Sequence, residues 1–270
     1  LKRTCLCFFM LFLLLLPVMA PAEAVIQIII PPKSTPAPGA EPEPTPAPTD
    51  DPWPFIIRYG SREENKIALS MDDCYELDKV EETLEICREF GIVMTFYPLG
   101  LVLKEEDREL WQSVIDAGCE IGTHTMRHAS INKGDARVLL AQILRPQEVL
   151  DQVLGYHYPI RTLRPPYGRV EDENGSTRMA YAALKLAGFD HVVNWDVSQT
   201  DPVLAAPRVQ NGSILLYHAR RKDVECIRQL VPVLLEKGFE FVTVAELIGL
   251  PREVETSPEK YVYNPDDYFR

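Results

Sequence analysis

The sequence predicts an α/β fold, a distorted or incomplete (β/α)7-type barrel preceded by a signal peptide and a proline-rich linker. Three observations predict it. From residue 67 to residue 248, short apolar runs of strand character alternate with segments whose apolar residues recur at helical spacing. A glycine closes most of the helical segments: Gly91, Gly118, Gly188 and Gly238. The alternation gives about seven strands in roughly 200 residues, which suits one barrel better than two domains.

Residues 1–24 read as a signal peptide. Lys2-Arg3 precedes an apolar run from Cys5 to Leu16, then Pro17 and small residues, with Ala22-Glu23-Ala24 as the preferred cleavage site and Val18-Met19-Ala20 second to it. An uncleaved membrane anchor is the alternative, although the run is shorter than the roughly 20 residues a spanning helix needs. Residues 25–54 form the linker. From Pro31 to Pro54 it is Pro, Ala, Thr and Glu with almost no large apolar side chain, so it cannot bury enough surface to fold and should be extended. Trp53 sits at its end, as readily a docking residue as a chance one.

The folded domain spans 55–250. Ile67 to Met71 reads as a strand. Residues 77–90 place Leu77, Val80, Leu84 and Cys87 on one helical face. A strand at 92–97, a helix at 104–117 and a strand at 119–123 follow. A long helix covers 136–154, a short extended piece 162–165, and a helix 178–186. Strands are expected at 191–195 and 213–217, a helix at 224–237 that Pro232 can bend, a last strand at 239–242 and a short helix at 244–248. The tail, 251–270, is polar, interrupted by proline and expected to be peripheral.

The net charge is −12, and becomes −13 when Lys2, Arg3 and Glu23 leave with the signal. An acidic surface argues against nucleic acid or an anionic membrane as partner. A monomer is expected. Cys74, Cys87, Cys119 and Cys226 remain after cleavage, without CxxC spacing, so nothing requires a disulfide.

Polar residues cluster where strands end, the functional face of such a barrel. The first strand ends in Asp72-Asp73. A turn there can point one acid each way, leaving one carboxylate for a metal and one for proton transfer. On residue preference alone, a plain turn or a helix N-cap is the readier reading. His124 and His128, four apart, would share one side of a helical turn and could reach one ion, and a carboxylate would complete a two-His, one-carboxylate set. The bare pair does not specify a metal. A zincin-type protease needs Glu directly after the first His, where this chain has Thr125. His157 and His191 read as ordinary loop and strand-end imidazoles, and Arg220-Arg221-Lys222-Asp223 as the solvated first turn of a helix.

Taken together, the motifs resemble the polysaccharide deacetylase family (the NodB-homology domain, carbohydrate esterase family four) over roughly residues 66–250. Ser70-Met71-Asp72-Asp73-Cys74 stands for Thr-Phe-Asp-Asp-Gly. His124-Thr125-Met126-Arg127-His128 and Arg164-Pro165-Pro166-Tyr167-Gly168 meet the second and third motifs in full. Asp201-Pro202 keeps the Asp of the fourth and loses its Trp. Leu216-Tyr217-His218 meets the fifth.

The resemblance implies a role for each position. Asp73, His124 and His128 would hold a divalent metal, zinc first, with cobalt, nickel or manganese as alternatives. The metal would polarise the acetyl carbonyl and activate a water. Asp72 would be the base, paired with Arg164. The Tyr167 backbone N–H would stabilise the oxyanion. His218 would protonate the leaving amine, oriented by Asp201. Leu216 would line the acetyl pocket, with Tyr167, Pro166 and Trp195 also meeting substrate. Asp196 rivals Asp201, which is preferred because Trp195 then aligns with the aromatic preceding that motif. Cys74 for Gly raises an extra ligand or an oxidisable thiol, against the blander reading of a buried apolar Cys.

The expectation is therefore a secreted, metal-dependent polysaccharide N-deacetylase, either extracellular or held at the cell surface by its anchor. Its partner is an acetylated polysaccharide, peptidoglycan before chitin oligomers or acetylated xylan, in association with the cell envelope. An inactive glycan-binding domain is the alternative from another class.

Overall fold

The computed structural model describes residues 55–269; the expected signal (1–24) and linker (25–54) lie outside the described residues. Seven strands alternate with helices. They are β1 (Ile56–Ile57), β2 (Lys66–Asp73), β3 (Thr95–Pro98), β4 (Glu120–Ile121), β5 (Val192–Val193), β6 (Ile214–His218) and β7 (Glu240–Phe241). The helices are α1 (Leu77–Phe90), α2 (Arg108–Asp116), α3 (Ala136–Leu154), α4 (Arg178–Leu186), α5 (Pro202–Ala205), α6 (Arg221–Glu236) and α7 (Val244–Leu247). Among the described residues no helix is long and apolar enough to cross a membrane.

The strands pair in parallel in the order β4-β3-β2-β6, with β7 also on β2 and β1 on β5. Parallel bridges between Thr123 and Leu163 and between Val197 and Leu215 carry the ring onward, and the Val193 N–H bonds the Leu163 carbonyl. β1 fills the gap between β5 and β6 at its lower end, where Tyr59 bridges Ser213 in the antiparallel sense. The result is the expected distorted (β/α)7-type barrel, with strands much shorter than in a regular one.

The eight residues of β2 show how the barrel is built. Ile67, Leu69 and Met71 face outward into the cluster formed with Val80 and Leu84 of α1 and Ile227, Leu230 and Leu234 of α6. Ala68 faces inward with Tyr97, Val193, Ile214 and Val242. Both faces are buried, so the strand reads as a continuous apolar run until its C-terminal end. There the inward positions become Ser70 and Asp72.

Two expectations of local structure are refined. The helix expected over 104–117 opens on a short 3-10 turn at Glu105–Asp107, with another just before it at Gly100–Val102, and α-helix starts only at Arg108. The tail is mostly exposed, as its polarity suggests, but it is docked on α3. Tyr263 is buried against Leu140 and Leu144 of α3. The Tyr261 N–H donates to Asp151 Oδ2 at 2.7 Å, and residue 257 bridges residue 157. The tail's aromatic residues, sparse along the chain, supply the apolar surface that a polar average conceals. The four described cysteines are all free and buried.

Candidate active site

The first and fifth motifs end β2 and β6, and the second and third follow the Thr123–Leu163 bridge; local backbone strain concentrates among them. Among the described residues the non-glycine positions with left-handed backbone are Asp73, Cys74, Thr125, His128 and Tyr167, with φ of 65°, 57°, 71°, 58° and 62°. Each costs on the order of 1 kcal/mol or more, and such residues gather where function over-determines geometry.

Asp72 ends the inward row of β2, and the turn at Asp73 sends the second carboxylate elsewhere. Asp73 Oδ1 lies 3.6 Å from His124 Nε2 and 3.6 Å from His128 Nε2. The same oxygen is buried and has no hydrogen-bond partner. The three ligand atoms fall within 4.8 Å of one another. His124 Nδ1 donates to the Arg164 carbonyl at 2.8 Å, which fixes the tautomer with a bare Nε2 toward Asp73. Burial pushes the His124 imidazole below its ordinary range, opposed chiefly by Asp72. A buried unpaired carboxylate oxygen facing two imidazole nitrogens is the donor set a divalent cation completes, so these residues fit the metal that the motifs imply.

The histidine pair does not share the helical turn that its spacing suggests. Residues 124–128 form a loop, not a helical turn. Left-handed Thr125 and His128 bring the two rings to a centroid separation of 4.9 Å. The loop is pinned by Met126 N–H to the Gln142 carbonyl at 2.8 Å, Arg127 N–H to Gln142 Oε1 at 3.0 Å, and Gly100 N–H to the Thr125 carbonyl at 3.0 Å. Gln142, in the middle of α3, is a support that no sequence signal announced.

Arg164 is fully buried. Its NH1 donates to Asp72 Oδ1 at 2.8 Å and to Ser70 Oγ at 2.6 Å, Nε to the Val193 carbonyl at 3.1 Å, and NH2 to the Asn194 carbonyl at 3.2 Å. Its guanidinium also lies 4.5 Å from the Tyr97 ring centroid and 5.8 Å from that of Trp195. The expected pairing with Asp72 is present, with Asp72 Oδ2 turned to the metal side, 3.8 Å from His124 Nε2.

The third-motif loop carries left-handed Tyr167 and Gly168 in succession. Pro166 is buried, and Tyr167 is 65% exposed with its ring steeply inclined to that of His128, centroids 4.6 Å apart. Gly168 is required, since a Cβ there would lie 2.9 Å from the Trp195 ring. Trp195 thus braces this loop and Arg164 from behind. Beside Tyr167 opens a polar cleft of about 660 Å³ lined by Asn132, Lys133, Arg169, Glu171 and Met179. Leu216 is buried on the same face of β6 as His218, two residues before it.

Cys74 takes the blander of its two readings. It is fully buried and no part of the ligand triad, and burial, with Asp72 and Asp73 adding, pushes its thiol far up.

Asp201 is not where the resemblance put it. Its Oδ1 accepts from Val203 N–H at 2.9 Å and Leu204 N–H at 3.4 Å, capping α5 with Pro202 at the first helical position. Asp before a helix-opening Pro is a strong N-cap, which explains the placement. Asp196 is no substitute, being bound to Arg62 at 2.8 Å and Ser213 at 3.0 Å. The carboxylate at His218 is Asp223. Its Oδ2 accepts from the His218 backbone N–H at 2.8 Å and lies 3.5 Å from Nδ1. The imidazole is raised above its ordinary range, chiefly by Asp223, with burial opposing and Asp72 and Asp73 assisting. The reading of 220–223 as solvated holds for Arg220, Arg221 and Lys222 but fails for Asp223, which is 5% exposed.

Comparison with known proteins bears on this geometry. Residues 59–188 match the family model for polysaccharide deacetylase. The peptidoglycan-N-acetylglucosamine deacetylase of Bacillus cereus is 25% identical over 234 residues, covering 77% of this chain and 77% of that protein. The peptidoglycan-N-acetylmuramic acid deacetylase PdaC of Bacillus subtilis is 25% identical over 199 residues, and the match spans 70% of this chain but only 40% of that longer protein. A crystal structure of a peptidoglycan N-acetylglucosamine deacetylase superposes with a TM-score of 0.63 at 23% identity, over 74% of this chain and 95% of that one, which establishes the shared fold. With the barrel shared and the family model matched across the metal-site motifs, residues 59–188 of this chain match the polysaccharide deacetylase family, of the NodB-homology, carbohydrate esterase family 4 type.

Proposed function

We propose that the chain is a divalent-metal-dependent N-deacetylase of an acetylated amino-sugar polymer, with peptidoglycan as its first substrate. The observation that carries this reading is Asp73 Oδ1, without a hydrogen bond, facing two imidazole nitrogens, beside an Asp72 already locked to Arg164. The peptidoglycan deacetylases among its relatives support the substrate. The signal-like N-terminus and proline-rich linker support export, with the domain secreted or held at the cell surface.

Asp73, His124 and His128 would hold the ion, zinc before cobalt, nickel or manganese. When bound, it supplies Lewis acidity and a water acidified toward neutral pH. Asp72 accepts the proton as water oxygen adds to the acetyl carbon. Arg164 fixes Asp72 through Oδ1 and leaves Oδ2 for that proton. The Tyr167 N–H, held in a left-handed turn, is assigned to the developing oxyanion. His218 gives its proton to the nitrogen as the C–N bond breaks, releasing acetate and a free amine. The polar cleft beside Tyr167 offers room for a sugar unit next to the ligand triad. An inactive glycan-binding domain is disfavoured because the base, its arginine and all three ligand residues are in place together.

The test is acetate release from peptidoglycan, chitin oligomers and acetylated xylan, each with added zinc and with chelator. Zinc-dependent release from peptidoglycan is expected. Equal release with and without metal would overturn the proposal.

A further inference from the structure

We infer that Asp223, not Asp201, is the positioning carboxylate of His218, holding the imidazole by its Nδ1 edge so that Nε2 is presented to the departing amine. This rests on the deacetylase reading above and adds to it a residue outside all five motifs.

Three observations carry it. The first is anchoring. Asp223 is the third residue of α6, and the Arg220 N–H closes the preceding turn on the His218 carbonyl at 2.7 Å, while the Asp223 N–H bonds the Arg220 carbonyl at 3.0 Å. The carboxylate therefore folds back over its own turn. Its Oδ2 takes the His218 backbone N–H at 2.8 Å and stands 3.5 Å from Nδ1, so it cannot swing away without losing a buried hydrogen bond.

The second is exclusivity. The charged groups that face the ring are Asp223 from α6 and Asp72 and Asp73 from the end of β2. Of these, only Asp223 lies within ion-pair distance of it among the described residues. Arg220, Arg221 and Lys222 point to solvent and leave the Asp223 charge to the imidazole. The third is that Asp201 turns its Oδ1 to the cap of α5 and makes no ion pair with His218.

The sign of the consequence is fixed. A facing carboxylate favours the imidazolium, so His218 stays protonated, and competent as an acid, to higher pH. Removing the charge moves the alkaline limb of the pH–rate profile to lower pH. Asp223→Asn keeps an acceptor for the His218 N–H while removing the charge, which separates positioning from folding.

The test uses the full chain as wild type, Asp223→Asn, Asp223→Glu and Asp201→Asn. Acetate release is followed against pH, and the His218 imidazole is titrated by NMR. Asp223→Asn is expected to lower kcat about tenfold or more, leave KM within about twofold, and move the alkaline limb down. Asp223→Glu should restore part of the limb, and Asp201→Asn should keep the wild-type profile. A limb that moves in Asp201→Asn and stays in Asp223→Asn would overturn the inference, as would an Asp223→Asn enzyme that loses stability and rate with its limb unchanged. If wild type releases no acetate, the deacetylase reading fails. The NMR titration then still decides the pairing: a drop in Asp223→Asn alone supports it, and no drop overturns it.

Discussion

Arg164 NH1 lies 2.8 Å from Asp72 Oδ1, and both side chains are closed off from water. A buried charge of this kind is stable only while each member has the other. Arg164 also ties together Ser70 of β2 and the carbonyls of Val193 and Asn194, so it braces the barrel and orients the base at once. Arg164→Met leaves Asp72 charged and unpaired, and is expected to cost about 3–5 kcal/mol. Arg164→Lys cannot reproduce the fork and should recover only part of that. Urea unfolding midpoints check both.

The triad predicts how the protein responds to metal. At zinc 100-fold above its dissociation constant, the folded state gains about 2.7 kcal/mol. For a domain of this size the Tm should rise by about 5–10 °C and fall back with chelator. His128→Ala or Asp73→Asn should abolish the shift and weaken zinc binding by more than about 100-fold, measured by calorimetry.

Gly168 is held at φ 64° with Trp195 where a Cβ would go. Gly168→Ala should cost about 1–3 kcal/mol and displace the Tyr167 loop. A lower Tm with altered tryptophan fluorescence and reduced acetate release is the expected set. Wild-type values in all three would show that the loop is not braced this way.

The tail makes a prediction opposite to the one its polarity invites. Deleting residues 251–270 uncovers Leu140 and Leu144 and strips Asp151 of the Tyr261 N–H. The cost should be about 2–4 kcal/mol, lowering Tm by about 4–16 °C in a thermal melt.

What the sequence made legible follows one rule. Residues at strand ends can be read: Asp72, Asp73 and His218 each follow an apolar run, and the period-2 alternation of β2 already aims Asp72 inward. What stayed hidden depends on contacts that no periodicity encodes. The spacing of the histidine pair suggests a helical turn, because spacing alone cannot reveal left-handed Thr125 and His128. Asp223 was lost among three cations because charge composition does not say which side chain turns inward. Asp201 drew attention by motif position, although Asp followed by Pro carried its own local signal for an N-cap.

The central claim is that Asp72 serves as the base beside a metal held by Asp73, His124 and His128. The most direct measurement pairs zinc content with acetate release from peptidoglycan for wild type and Asp72→Asn. The account predicts about one zinc per chain in both, and a rate in Asp72→Asn lower by about 100-fold or more. An Asp72→Asn protein that binds zinc and releases acetate at the wild-type rate would contradict it.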